Sequence, residues 1–133
     1  RLNVCNNLPQ AILGAGVGCY QDSVHMKAIS DELRAELETI AAAKGIDLRL
    51  VEASSRRGSA VPPTARYSTL QDLDAGRHTE IDMFSGALIR MGKELGIPTP
   101  YNEYTYHMIK ALEEKNDGLF DYDKANRRST WAI

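Results

Sequence analysis

Between Ser23 and Lys44 the apolar residues Ile29, Leu33, Leu37 and Ile40 return every three or four positions, with polar and charged residues between them. That period is the repeat of an α-helix, so the segment predicts one long helix with a polar outer face, stopped by Gly45. A helix with one apolar stripe must bury it against partners, and the chain offers two more stripes of the same kind. From Thr79 to Leu95 the residues Ile81, Phe84, Leu88, Met91 and Leu95 share a face. There Thr79 and Asp82, three residues on, have the spacing of a capping box, and Gly96 ends the run. After Pro98 and Pro100 a third helix is expected to about Lys115, with Tyr101, Tyr104, Thr105, Met108 and Leu112 on one side and Pro100 in its first turn. Shorter helices are expected over Ser68 to Ala75 and from Arg1 to about Leu13, the latter with a kink or restart near Pro9. These elements predict an all-α helical bundle.

Composition sets the outer bounds. With 133 residues, 43% hydrophobic and 26% charged, the chain fits one globular domain with a core of its own, and no apolar run approaches the ~18 residues of a membrane span. A formal charge of -2, with Lys and Arg scattered, supplies no electrostatic footprint for nucleic acid or an anionic membrane. Cys5 and Cys19 lack the spacing of a zinc site and the density of a disulfide scaffold, so they are expected to be reduced, buried thiols of a cytoplasmic protein. The chain opens on Arg1 within an element already under way, as expected for a piece of a longer protein. The stretch from Ser54 to Arg66 has no period and carries Gly58, Pro62 and Pro63, which predicts a loop. Residues 117–133 form a polar tail with isolated aromatics, expected to dock in part.

One competing reading must be excluded. Gln10 to Leu13 could be a strand, Gly14-Ala15-Gly16-Val17-Gly18 a phosphate-binding turn, and Ile46 to Ala53 a second strand ending near Glu52. The dinucleotide-binding fingerprint requires a third glycine three residues after the second, for close helix–strand packing, and here that place is held by Cys19. The intervening helix is also longer than a compact unit of about 30 residues allows. The glycines are therefore expected to close a helix.

The chemistry is concentrated in STLQDLDAGRHTEIDMFSGALIRMGKELGIPTP, from Ser68 to Pro100, where a hydroxyl, Ser68, and a carboxylate, Glu80, flank a glycine break. This string resembles the C-terminal domain of the ketopantoate reductase (2-dehydropantoate 2-reductase) family, which carries a Ser, a hydrophobic pair, Gln-Asp, Gly-Arg and Thr-Glu-Ile-Asp. The opening NVCNN is similar to the family's helix with two asparagines four apart, here Asn3 and Asn7, and LGAGVG is similar to the glycine turn that closes it. Asparagines at that spacing share a helix face.

The resemblance implies an all-α bundle of the 6-phosphogluconate dehydrogenase C-terminal type. Residues 1–116 would form the substrate-binding domain and residues 117–133 the tail, with an N-terminal Rossmann domain, absent from this chain, binding NADPH. It implies reduction of a 2-oxo acid, foremost 2-dehydropantoate to pantoate in pantothenate and coenzyme A biosynthesis, with the isolated fragment inactive. Glu80 is the implied catalytic carboxylate, contacting substrate and supporting a lysine that the family places just ahead of Arg1. Ser68 is the implied partner of the substrate carboxylate, and Asn3 and Asn7 the implied partners of its polar groups. Hydride addition to a ketone develops negative charge on oxygen, which a cation or acid must stabilise. A carboxylate at a helix start stays ionised, so Glu80 is expected as an acceptor and not as the proton donor.

Each assignment has a structural counterpart: Glu80 as a first-turn acid, Ser68 as a helix cap, and Asn3 and Asn7 as solvated side chains. Asp72 and Asp82 are read as structural. His25, His78 and His107 share no metal-ligand spacing and are read as surface or core histidines. Tyr101, Tyr104 and Tyr106 are read as packing residues. Three positions before Ser68, where some family members carry a polar residue, stands Ala65, so another 2-oxo acid remains open as substrate. A different reading is a helical association module that pairs with itself as a homodimer.

Overall fold

The computed structural model describes residues 4–47 and 62–122, and every regular element among them is helical. The helices are α1 (Val4–Leu13), α2 (Cys19–Asp22), α3 (Val24–Ala43), α4 (Ser68–Asp74), α5 (Ala87–Leu95) and α6 (Pro100–Asn116). A π-helical turn, Asp82–Gly86, leads directly into α5. No described helix is long and apolar enough to cross a membrane.

The long periodic segment folds as its stripe predicts. Ser23 caps α3 by accepting a hydrogen bond from the Met26 amide at 3.2 Å, and Leu33 and Ile40 are buried. Burial of side chains this large stabilises the fold by roughly 1.5–3 kcal/mol each. Gly45 and Gly96 take left-handed φ values of 76° and 70° at the ends of α3 and α5, a region that only glycine enters without strain. Helix α1 packs against α3, α4 and α6. At that junction Leu8, Ala11, Leu70, Leu73, Ile81 and Ile109 form one core cluster drawn from α1, α4, α6 and the turn before α5.

Helix α1 does not restart at Pro9 but runs through it. The ring is buried, so packing compensates for the backbone hydrogen bond that a proline cannot donate. The segment from Thr79 to Leu95 differs from a single amphipathic helix. The π turn inserts extra residues into its first turn, which rotates the stripe: Ile81 and Leu88 are buried, Ser85 and Gly86 join them, and Phe84 and Leu95 are exposed.

Helix α6 also presents a face other than the one its tyrosines suggest. Asn102, Thr105, Ile109 and Glu113 are buried, while Tyr101 and Tyr104 are exposed. Cross-helix hydrogen bonds make that polar face possible. Glu36 on α3 accepts from the Tyr101 amide at 2.8 Å, from the Asn102 amide at 3.0 Å and from Asn102 Nδ2 at 2.6 Å. A carboxylate from another helix thereby caps the positive N-terminus of α6, where Thr99 makes no side-chain cap. Between α3, α6 and α1, the residues Leu13, Ile29, Tyr101 and Tyr104 line an open apolar groove of about 410 Å³.

The glycine turn is a helix stop. Gly14 takes φ 75° and its amide donates to the Gln10 carbonyl at 2.8 Å. The turn then meets residues 62–67. The Val17 amide donates to the Ala65 carbonyl and the Gly18 amide to the Pro63 carbonyl, each at 2.9 Å. Of the loop expected over Ser54 to Arg66, residues 62–66 are described and are non-helical, and the rest lies outside the described residues. So does the tail beyond Tyr122. Cys19 is half-buried and burial pushes its thiol pKa up, which keeps it protonated, while the Cys5 side chain lies outside the described residues.

Candidate active site

The three described candidate residues each adjoin a member of the same core cluster. Asn7 precedes Leu8 on α1, Ser68 stands two residues before Leu70 on α4, and Glu80 precedes Ile81. Burial of Leu8, Leu70 and Ile81 together therefore gathers the three backbones around one core. Asn3 lies outside the described residues.

Asn7 is half-buried, and its Oδ1 is shielded from solvent without a hydrogen-bond partner. A polar atom in that condition costs about 1–3 kcal/mol. Ser68 is exposed and is the first residue of α4; Tyr67 holds the N-cap position, so the hydroxyl does not cap the helix. Glu80 is exposed and stands ahead of the π turn, where Asp82 is the acid in the first turn. Among the described residues no hydrogen bond joins Asn7, Ser68 and Glu80 to one another.

Two residues outside the expected set hold these three in place. Gln10, one helical turn after Asn7, is fully buried, donates from Nε2 to the Ala65 carbonyl at 2.7 Å and accepts at Oε1 from the Tyr67 amide at 3.0 Å. It ties the helix of Asn7 to the residues just before Ser68. Glu113 on α6 is 2% exposed and accepts from both the amide and the hydroxyl of Thr79, at 2.7 and 2.6 Å. Gln10 stands three residues after Asn7 and Glu113 four after Ile109, but their partners, Ala65, Tyr67 and Thr79, are 34 to 57 residues away, so no local pattern marks either residue.

These bonds replace the capping box expected between Thr79 and Asp82. The Thr79 hydroxyl is engaged by Glu113, and Asp82 accepts from the Tyr106 hydroxyl at 2.5 Å and from Lys110 Nζ at 3.3 Å. The bond from Tyr106 holds the Asp82 carboxyl below the usual carboxylate range, aided by Lys110, and Asp82 in turn raises the Tyr106 phenol. Burial pushes the Glu113 carboxyl up, but the two bonds from Thr79 and the nearby Lys110 outweigh it and leave the group below its ordinary value. Lys110 Nζ lies 3.4 Å from Glu113 Oε1. His78 Nε2 meets Asp117 Oδ2 at 2.6 Å, while His25 and His107 are exposed. Among the described residues no three His, Cys, Asp or Glu side chains gather to hold a metal.

A bundle of this topology, with these segments converging on one core, matches the helical domain of a reductase. Residues 2–113 match the family described as the ketopantoate reductase PanE/ApbA C terminal, and the chain belongs to that family as its C-terminal domain. A 2-dehydropantoate 2-reductase of Pyrobaculum aerophilum is 32% identical over 114 residues, which are 84% of this chain and 40% of that relative. One from Aquifex aeolicus is 44% identical over 55 residues, covering 40% of this chain and 17% of the relative. The crystal structure of a ketopantoate reductase family member from Ralstonia eutropha JMP134 superposes with a TM-score of 0.72 at 27% identity, over 87% of this chain and 39% of that one. A D-mandelate dehydrogenase in ternary complex with NADH and anilino(oxo)acetate superposes with a TM-score of 0.73 at 25% identity, over 85% and 48%. The chain thus spans less than half the length of each of these relatives.

NADH is bound in that mandelate dehydrogenase, and the glycine turn of this chain does not fit the pyrophosphate of such a group. The one glycine turn of suitable spacing is filled from within. A Cβ on Gly16 would lie 2.3 Å from the Pro63 carbonyl oxygen and 2.8 Å from Thr64 Cα, and one on Gly18 would lie 2.7 Å from Pro63 Cβ. Its amides at Val17 and Gly18 are spent on Ala65 and Pro63. Residues 63–65 thus occupy the face of the turn to which those two amides point.

Proposed function

We propose that this chain is the substrate-closing domain of an NADPH-dependent 2-oxo acid reductase, with 2-dehydropantoate as the foremost substrate. NADPH supplies the hydride and is held by a preceding nucleotide-binding domain, since the glycine turn here is occupied by Pro63 and Thr64. The observation that carries the reading is the arrangement of Asn7, Ser68 and Glu80 within the family match, each backbone anchored to the same core cluster.

In this reading the Ser68 hydroxyl donates to the substrate carboxylate. Asn7, half-buried on α1, offers its side-chain amide to the polar groups of the substrate. Glu80 accepts a charge-assisted hydrogen bond and supports the cation, ahead of residue 1, that stabilises the developing alkoxide. The family places a lysine in that position. Asn3, four residues before Asn7, is the second amide that the resemblance assigns to the polar groups of the substrate.

The test is a screen of 2-oxo acids against the full-length protein, following NADPH oxidation. The reading expects 2-dehydropantoate to give the highest kcat/KM; a clear preference for an aromatic 2-oxo acid would move the assignment toward the mandelate dehydrogenase relatives. NADH oxidised as well as NADPH would overturn the cofactor assignment.

One observation favours a second reading, an association module. Tyr104 is 68% exposed and Leu13 56% exposed on the rim of the apolar groove. Light scattering of the protein separates the two, because an association module self-pairs and loses that pairing on Tyr104→Asp.

A further inference from the structure

The residues on either side of Glu80 are held far more tightly than Glu80 itself. Thr79 gives both its amide and its hydroxyl proton to Glu113 Oε2, at 2.7 and 2.6 Å. The same hydroxyl oxygen accepts from the Ile81 amide at 3.3 Å, so a single side chain spans Glu80 from one neighbour to the other. The Ile81 side chain is 2% exposed in the core, and the Glu80 carbonyl accepts from the Met83 amide at 3.0 Å at the start of the π turn. His78, the residue before Thr79, is held at 2.6 Å by Asp117, one helical turn beyond Glu113 on the same side of α6.

Stability alone does not account for a carboxylate at position 113. Taking a charge out of water costs several kcal/mol, and a buried ion pair is commonly no better for stability than apolar residues of the same volume. What an apolar residue could not do is accept two hydrogen bonds from one threonine. Lys110 Nζ at 3.4 Å and His78 Nδ1 at 3.9 Å face the other carboxylate oxygen, Oε1, so Oε2 is left to Thr79 alone. The group is built as an acceptor aimed at one backbone position.

We propose that Glu113 is a positioning residue: its buried carboxylate fixes the backbone at Thr79 and thereby sets the direction in which Glu80 meets the substrate. The proposal rests on the reading of Glu80 as a substrate-contacting residue. Glu113 touches neither substrate nor cofactor and acts through residue 80. Thr79 is the coupling element, since its hydroxyl links the clamp to Ile81 across the functional side chain.

A double-mutant cycle in the full-length enzyme tests this, with Glu113→Gln, Glu80→Gln and the pair assayed for kcat and KM toward 2-dehydropantoate. Glu113→Gln keeps the volume and one acceptor oxygen, so it preserves the fold better than a truncation. The expected result is a loss in kcat/KM of about tenfold with Glu80 present and of less than about twofold in the Glu80→Gln background, the KM for NADPH being unchanged in both. Equal losses in the two backgrounds would overturn the proposal, because Glu113 would then act independently of Glu80. Thr79→Val, which removes only the hydroxyl, is expected to reproduce the loss, and Thr79→Ser to restore activity to within about twofold of the parent.

Hydrogen exchange separates failure of the clamp from failure of the Glu80 reading. Faster exchange at the Ile81 and Met83 amides in Glu113→Gln supports the clamp whatever the kinetics. Unchanged exchange there overturns it even where Glu80→Gln is inactive. Full activity of Glu80→Gln would remove the role of Glu80, and with it the functional half of the proposal.

Discussion

Gln10 and Tyr67 are joined across 57 residues of sequence: the Gln10 side-chain oxygen accepts from the Tyr67 amide at 3.0 Å while its amide nitrogen donates to the Ala65 carbonyl at 2.7 Å. The pair behaves like one rung of a ladder, made by a side chain where a strand would use backbone. It sets the entry to α4, and hence Ser68, against the helix that carries Asn7. Ala65 contributes its carbonyl to this clip.

Loss of that clip should be costly. Gln10→Leu keeps the volume but strands the Tyr67 amide and the Ala65 carbonyl, and we expect it to lower unfolding stability by about 2–4 kcal/mol at roughly unchanged denaturant slope. Urea titration measures this, and a change below about 0.5 kcal/mol would show that water replaces the side chain without penalty.

Glu80→Gln in the full-length protein should cut 2-dehydropantoate-dependent NADPH oxidation by at least about tenfold, the equivalent of a charge-assisted contact of ~1.5 kcal/mol. Unfolding should be nearly unaffected, because the side chain is exposed. Steady-state kinetics decide the matter, and unchanged values would refute the assigned role.

Ser68→Ala should raise KM for the 2-oxo acid with the fold intact, since the hydroxyl is exposed and is not the cap of α4. Circular dichroism establishes the fold and initial rates the KM. An unaltered KM would remove Ser68 from the site.

Acid should loosen the segment around Glu80. The Asp82 and Glu113 carboxyls both lie below their ordinary values in the folded protein. A depressed folded pKa contributes stability that is fully present above the unfolded value, about 3.9 for Asp and 4.3 for Glu, and is lost as pH falls through the folded one. Melting temperature should therefore hold steady from about pH 7 to 5 and drop more steeply below about pH 4, with a shallower acid limb in Glu113→Gln. Parallel acid limbs for parent and variant would contradict the assignment.

Gly16→Ala should destabilise by more than about 2 kcal/mol, because the new methyl would fall 2.3 Å from the Pro63 carbonyl oxygen, a backbone atom that cannot rotate away. A thermal melt suffices to check it. Gly14→Ala offers a contrast, since nothing lies near its Cβ and its cost comes only from φ 75°.

Much of this molecule follows from local rules that a linear chain displays. The stripe of Leu33 and Ile40, the serine cap at Ser23, the glycine stops at 45 and 96 and the short helix from Ser68 are properties of spacing and backbone sterics, and each formed where those rules place it. Membership of the family was legible for the same reason, because the string from Ser68 to Asp82 is contiguous. The positions of Asn7, Ser68 and Glu80 as candidates came with that string, whereas what holds them did not. Thr79 and Asp82 have the spacing of a mutual cap, yet each found a stronger partner on α6, in Glu113 and in Tyr106 with Lys110. Tyr101 and Tyr104 were outranked for the interior by Asn102 and Glu113, because hydrogen bonds from other elements offset the burial of polar groups. The sequence by itself determined the helices, their stops and the family. Only the tertiary structure decided which polar side chains turn inward, since that depends on donors and acceptors tens of residues away, which no local period encodes.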